Sequence, residues 1–323
     1  MPRRWGALPG ERRMTTHRTV TGLICPACRQ GVPVAKAGTL AYLKSEPFQC
    51  PECGAPFDCW EIVLDAIQAQ SFRSKVYEAL GAREVGFYIY VAAGEEKWVP
   101  LESHGLPKDG RLLCWEWTGW KGDVEAVEVR PNFSPRHSAH RERALHFYGK
   151  GTGEDPDPPP ARVDVFYSWV PHAAEDQGWQ NLVDACESYS AGRFSSAIVH
   201  ANTAVEVRVT RIVEALLAEA PKDRVSRRSL RSSKSFDRLD VLLSALARLA
   251  TPLLGQVRAR LNKLRAIRND IVHDGRPRHD LMRTEIGELL CAAVLGFRYC
   301  QLLEHELWRA RGKPAPTNES DTL

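Results

Sequence analysis

Two pairs of cysteines constrain this chain more than any other feature. Cys25-Pro-Ala-Cys28 and Cys50-Pro-Glu-Cys53 are CxxC pairs separated by 21 residues, each with a proline in its turn. Such turns aim two thiolates at one point, and four thiolates complete a tetrahedral zinc site with no open position. A closed four-sulfur site is structural, so Zn is expected to fold the segment around it, with Cys25, Cys28, Cys50 and Cys53 as ligands. A redox role would need a single pair in a thioredoxin-like strand and helix setting. The nine cysteines do not read as a disulfide framework, because the chain is neither small nor visibly secreted. Cys59 reads as a bystander. Cys114, Cys186, Cys291 and Cys300 fall in apolar patterns and read as small core residues.

The rest of the chain divides by composition and periodicity into a multidomain α+β arrangement. Residues 1–20 are basic and without periodicity and read as a disordered N-terminus, within which Met14 is an alternative start. They lack the apolar centre of a secretion signal, and no apolar run was expected to approach the length that crosses a bilayer. The expectation is therefore a cytoplasmic protein with no membrane partner. Residues 21–82 read as an N-terminal zinc ribbon with "WEIVLDAIQAQSFRSKVYEAL" as its helical exit. Residues 83–148 read as a small antiparallel β domain, from "EVGFYIYVA", "KWVPLE", "RLLCWEWTGW" and "DVEAVEVR" separated by turn residues. Its tryptophans (Trp98, Trp115, Trp117, Trp120) offer a binding face, although alternating aromatics on strands usually serve the core and cross-strand packing. His137, His140 and His146 lack a cysteine at ligand spacing and read as surface or structural histidines.

Residues 149–162, "GKGTGEDPDPPPAR", have the composition of a linker. From 163 to 311, after one strand-like run, three-four apolar spacing predicts an all-α bundle, with helices over about Trp179–Tyr189, Ser195–Ala220, Phe236–Leu249, Leu254–His273 and Asp280–Arg311. Residues 312–323 form a polar tail expected to be disordered.

Charge is distributed unevenly. The net charge of +4 hides a stretch, Arg224 to Arg283, with fifteen Lys/Arg against five Asp/Glu, so that it carries +10 and the remainder −6. A local basic surface of this kind attracts polyanions. Arg224, Arg227, Arg228, Arg231, Lys234, Arg265 and Arg276 are the candidate contacts to such a polyanion.

In the fourth expected helix of this region, Val257, Leu261, Leu264, Arg268 and Ile271 fall at steps of four, three, four and three, one continuous face. Arg268 thus stands where packing calls for an apolar side chain, and an unpaired buried guanidinium is costly. Two solutions exist. A bundle carboxylate, with Glu206 as the candidate, neutralises it, or the face opens onto an anion that the planar guanidinium grips with two hydrogen bonds. His273 stands at the helix end, where Asp274-Gly275 supply a turn and a left-handed residue. The negative end of the helix dipole and Asp270 favour its charged form and Arg268 opposes it, which puts its titration near neutrality.

Arg268-Asn269-Asp270-Ile271-Val272-His273 resembles the R-x4-H signature of HEPN domains (higher eukaryotes and prokaryotes nucleotide-binding), which has a polar residue after the arginine. The resemblance spans roughly Pro171 to Arg311, where "YSAGRFSSAIVHANTAVEVRVTRIVEALL" is similar to the long early helix of that bundle. Zinc ribbons and extra domains attached to such bundles are similar to architectures of prokaryotic defence proteins. The resemblance implies a metal-independent RNA endonuclease acting in antiviral defence or growth arrest. It implies a homodimer formed through the helical bundle, with Arg268, Asn269, Asp270 and His273 at a composite site. His273 then serves as general acid or base, Arg268 stabilises the charged phosphorane, Asn269 orients the phosphate or the imidazole, and the product is a 2′,3′-cyclic phosphate. No cofactor takes part in that catalysis, and the β domain is left to receive a phage or cellular trigger. Where some HEPN toxins carry a modified tyrosine two residues after the histidine, this chain has Gly275. Two alternatives stay open: a non-catalytic nucleotide- or RNA-binding HEPN module, and a zinc-ribbon DNA-binding regulator that dimerises through the bundle.

Overall fold

The structure, a computed structural model, describes residues 23–25, 27–28, 31–32, 49–56, 58–70, 76–77, 80, 82–108, 110–119, 127–131, 143–151, 158–171, 177–219, 255–277 and 280–310. Helices and antiparallel sheets are both present, which makes the protein α+β. The chain divides into a unit comprising Arg83–Trp169 and a second in which the cysteine segment and the helices belong together, Val20–Ala82 with Val170–Leu323.

The β unit consists of two three-stranded sheets. β3 (Arg83–Val91), β8 (Ala161–Pro171) and β5 (Gly110–Gly119) form one sheet in that order, and β4 (Glu96–Pro100), β7 (Ala144–Gly151) and β6 (Val127–Pro131) the other. Val85, Ile89, Val91, Val99, Leu145, Phe147, Val163, Val165 and Tyr167 share one core, most of them at alternate positions along their strands. Trp115 and Trp117 pack edge-on against Phe147 at 6.0 and 6.2 Å, which is the core role expected of them. Trp98 differs. It is 52% exposed and lies flat on the buried His146, with ring centroids 4.3 Å apart. His146 is therefore a structural histidine; Trp120, His137 and His140 lie outside the described residues.

Two boundaries expected from composition move. β8 pairs along its length with β3, from Arg83 opposite Trp169 to Val91 opposite Ala161, so the boundary expected after residue 162 falls inside a strand of the β unit. At the other end of the expected linker, Gly149 and Gly151 are paired residues of β7. Glycine is required at 149, because a Cβ there would run into the carbonyl of Ala92, while Gly149 accepts from Gly94 N at 2.7 Å and donates to Glu95 O at 3.0 Å.

In the second unit, α1 (Cys59–Gln68) follows the cysteines, and α2 (Gln177–Ser190), α3 (Phe194–Glu219), α4 (Gly255–Asp274) and α5 (Arg283–Ala310) form the bundle. Each matches an expected helix within three residues; the one expected over Phe236–Leu249 lies outside the described residues. Side-chain pairs fix the helix directions. α2 meets α3 through Tyr189 with Phe194 and Asn181 with His200, and meets α5 through Trp179 with Phe297 and Tyr189 with Arg283; both pairings are antiparallel. α4 is antiparallel to α5 through Arg260 with Glu288 and Lys263 with Glu285. α3 therefore runs parallel to α5 and antiparallel to α4. Gly296 gives α5 a notch in which Leu261 of α4 lies so close that a Cβ would stand 2.8 Å from its Cδ1.

The segment Arg283–Glu304 is 22 residues long and apolar enough to span a membrane by composition, contrary to the sequence expectation. In the fold, 83% of that window is buried inside the bundle, so its apolarity is accounted for by core packing.

Replacing Gly149 with alanine forces β7 away from the backbone of Ala92 and is expected to cost about 1–3 kcal/mol in the β unit. Denaturant unfolding followed by tryptophan fluorescence measures this, and an unchanged midpoint contradicts it.

Candidate metal centre and candidate anion site

The four cysteines converge. β1 (Leu23–Ile24) and β2 (Gly31–Val32) pair antiparallel on either side of Cys25 and Cys28. The second pair sits in a tight knuckle closed by Gly54 N to Cys50 O at 2.8 Å and Cys50 N to Ala55 O at 2.9 Å, with Gly54 at φ +72° in the left-handed region. The four sulfurs lie within 4.8 Å of one another, with Cys25 3.7 Å from Cys53 and Cys28 3.8 Å from Cys50. Zinc bonded to sulfur at about 2.3 Å in a tetrahedron sets neighbouring sulfurs roughly 3.8 Å apart, so this donor set fits that ion. The backbone N–H of Cys28, opposed by burial, pulls the Cys25 thiol down to about 7. Cys53, though lowered by the Ala55 backbone, is pushed up to about 12 by desolvation and its hydrogen bonds to the other three thiols. Cys186, Cys291 and Cys300 are buried core residues, as their apolar settings implied, and Cys59, read as a bystander, is buried as well; the side chain of Cys114 lies outside the described residues.

The cysteine segment continues directly into the bundle. Asp58, five residues past Cys53, caps α1 by accepting from Trp60 N at 2.9 Å and Glu61 N at 3.4 Å. α1 then buries Cys59, Trp60, Val63, Ala66 and Ile67. Trp60 is the anchor: its carbonyl accepts from Cys291 of α5 at 3.7 Å, and the Arg260 guanidinium of α4 stacks over its ring at 4.7 Å.

On α4 the buried seam is Val257, Leu261, Leu264 and Ile267. The expected seam is thus corrected by one residue at its end: Ile267 closes it, and Arg268 lies beside it, half-buried. Arg268 donates from Nη1 to Oδ1 of Asn269 at 3.1 Å, and its Nε is buried with no hydrogen-bond partner among the described residues. Among the described residues no carboxylate pairs with it. Glu206, its expected partner, stands 3.9 Å from Arg265 instead, because Arg265 lies one turn nearer along the antiparallel helix. Asn269 and Asp270 are half-buried, whereas His273 is exposed in the last turn. Gly275, at φ +75°, ends the helix as expected, its N–H donating to Ile271 O at 3.0 Å. Arg276 follows, exposed; Arg224, Arg227, Arg228, Arg231 and Lys234 lie outside the described residues. Of the sequence-predicted anion ligands the structure therefore brings together Arg268 and Asn269, while His273 stands on another side of α4.

Buried polar groups that escaped the sequence reading include Arg208, Arg298 and Asn202. Arg208 of α3, 1% exposed, donates to Glu304 of α5 at 2.9 Å and lies 4.9 Å from the centroid of Phe297. It continues the apolar steps Ala197, Ala201, Ala204, so the test that singled out Arg268 would have found it. Asn202 is 2% exposed, and its Nδ2 has no hydrogen-bond partner among the described residues. No family model, curated protein or solved structure matches this chain.

Metal ligation requires thiolates, so affinity for zinc is expected to be high above pH 7 and to fall as the pH drops from 7 to 5 and the Cys25 thiolate is protonated. Because the ligand segment is continuous with the docked α1, stripping the metal is expected to lower the unfolding temperature of the bundle by roughly 5 °C or more. Calorimetry with parallel metal analysis checks both; complete metal loss with an unchanged transition contradicts the coupling.

Proposed function

We propose that this protein is a metal-independent RNA endonuclease whose α2–α5 bundle is HEPN-like and whose four cysteines hold a structural zinc ion in a ribbon. The observation that carries this reading is Arg268, a cation at the edge of a packed seam that, among the described residues, pairs with no carboxylate, whereas Arg208 pairs with Glu304. A phosphate is the ligand that such a fork fits. Asn269, hydrogen-bonded to it, steers the guanidinium toward that ligand.

His273 supports the reading through symmetry. Five helical residues turn a side chain by about 140°, so one copy does not set Arg268 and His273 side by side. A two-fold axis across α4 brings a second pair opposite the first. Val272 and Met282, 51% and 70% exposed, give that end of the bundle an apolar surface suited to a second copy. In the paired site His273 takes the proton of the ribose 2′-hydroxyl as its oxygen attacks phosphorus. The P–O5′ bond breaks, a protonated imidazole returns a proton to the leaving oxygen, and Arg268 stabilises the extra negative charge between these events. The products are a 2′,3′-cyclic phosphate and a 5′-hydroxyl, and DNA, which has no 2′-hydroxyl, is spared. Zinc supplies structure only. The docking of α1 on α4 and α5 through Trp60 weighs against a free DNA-reading finger, since its apolar face is already covered.

The test is incubation of the purified protein with total cellular RNA, with EDTA added immediately beforehand. Wild type is expected to cut RNA and not DNA. Arg268→Ala and His273→Ala are expected to lower the rate by about 10²–10⁴, with RNA binding retained in His273→Ala. Equal cleavage by wild type and both variants contradicts the assignment, and phosphate binding without any cleavage favours a module that grips RNA without turnover.

A further inference from the structure

Asn202 is on the face of α3 that looks toward α4. It precedes Glu206 by four residues, which returns it to within about 40° of the same helical direction. Glu206 in turn contacts Arg265. Because the two helices are antiparallel, one turn back along α3 and one turn forward along α4 reach the same level, which places Asn202 level with Arg268 and Asn269. Both positions hold a donor unmet among the described residues: Nδ2 of Asn202 and Nε of Arg268 are each buried without a hydrogen-bond partner there. A buried donor left unmet costs about 1–3 kcal/mol, and two at one level of a helix pair are most simply met by one acceptor that both can reach. At Arg208 the charge is met by Glu304, 2.9 Å away; at Arg268 no carboxylate meets it among the described residues.

We infer that Asn202 and Arg268 line a buried site between α3 and α4 that takes a phosphate oxyanion, with Asn202 donating to one oxygen and the Arg268 fork to others. This rests on reading Arg268 as a phosphate ligand and adds a binding residue from the facing helix. Asn202 supplies a neutral donor, so the site gains a hydrogen bond without a second buried cation to desolvate. The same oxyanion chemistry is offered by free phosphate and by an internal phosphodiester of RNA.

The experiment is thermal unfolding of the full-length protein with its bound metal, in phosphate against chloride of equal ionic strength and, separately, with an uncleavable 2′-O-methyl oligoribonucleotide. Wild type is expected to gain about 2 °C or more at saturation with at least one probe; a gain with the oligonucleotide alone assigns the site to RNA, and a gain with both assigns it to phosphate in either form. Asn202→Leu removes an unmet buried donor at similar volume, so it is expected to leave the probe-free unfolding temperature unchanged or higher and to weaken the probe at least about tenfold. Asn202→Asp, which gives Arg268 an internal partner like that of Arg208, is expected to raise the probe-free temperature and abolish the response. A wild-type response preserved in both variants overturns the inference, as does the absence of any response to either probe. If both variants lower the probe-free temperature by several degrees and still respond, Asn202 is a packing residue and the inference is wrong. A lost response in the variants beside a wild type that never cuts RNA leaves this site standing and removes the nuclease reading.

Discussion

Burying an arginine in a helical bundle is costly unless its charge is met, and Arg208 and Arg268 meet that demand differently. Arg208 is sealed by Glu304 and by the face of Phe297. Removing that glutamate would strand a cation in the core, so the pair is a fixed part of the structure. Arg268 has Asn269 as its hydrogen-bond partner and, among the described residues, no carboxylate. The two arginines thus differ in whether a carboxylate meets the charge, and the functional reading proposed above grows from that difference.

What holds Arg268 in place is the packing of α4 on its neighbours. Leu261 fits the notch at Gly296, Arg260 and Lys263 pair with Glu288 and Glu285 of α5, and Arg265 pairs with Glu206 of α3. Arg260 also stacks over Trp60, the first buried aromatic after the cysteine knuckle. The cluster of four sulfurs is thereby linked, through a capped helix ten residues long, to the helix that carries the candidate site. On the proposed reading, a metal there would brace the bundle. The β unit has its own core and an exposed aromatic, Trp98.

Much of this was legible in the residues because it is local. The CxxC spacing announces convergent thiols, three-four apolar steps announce α2 to α5, and Asp274-Gly275 announce the end of α4. The parts that escaped depend on distant pairing. β8 completes a sheet with β3, some seventy residues earlier in the chain, and no local pattern tells a strand after a proline-rich stretch to which unit it belongs. Gly149 and Gly151 carry linker composition, yet they are paired because Ala92 lies too close for any side chain at 149. On α4 the spacing was right and the face wrong by one residue: Ile267 outcompetes Arg268 for the seam, since burial of hydrocarbon costs no desolvation of charge. Asn202 is silent in sequence because a single polar residue beside an alanine stripe gains meaning only from what the facing helix places at its level.

The central claim is that the Arg268 guanidinium awaits an anion from outside its own subunit. A crystal structure of the full chain grown with an uncleavable RNA fragment tests this most directly. The account predicts a phosphate oxygen within hydrogen-bond distance of Arg268, beside a two-fold contact that brings His273 of a second copy to the same cleft. A guanidinium paired with a carboxylate of its own subunit, with His273 facing solvent far from any second copy, would contradict it.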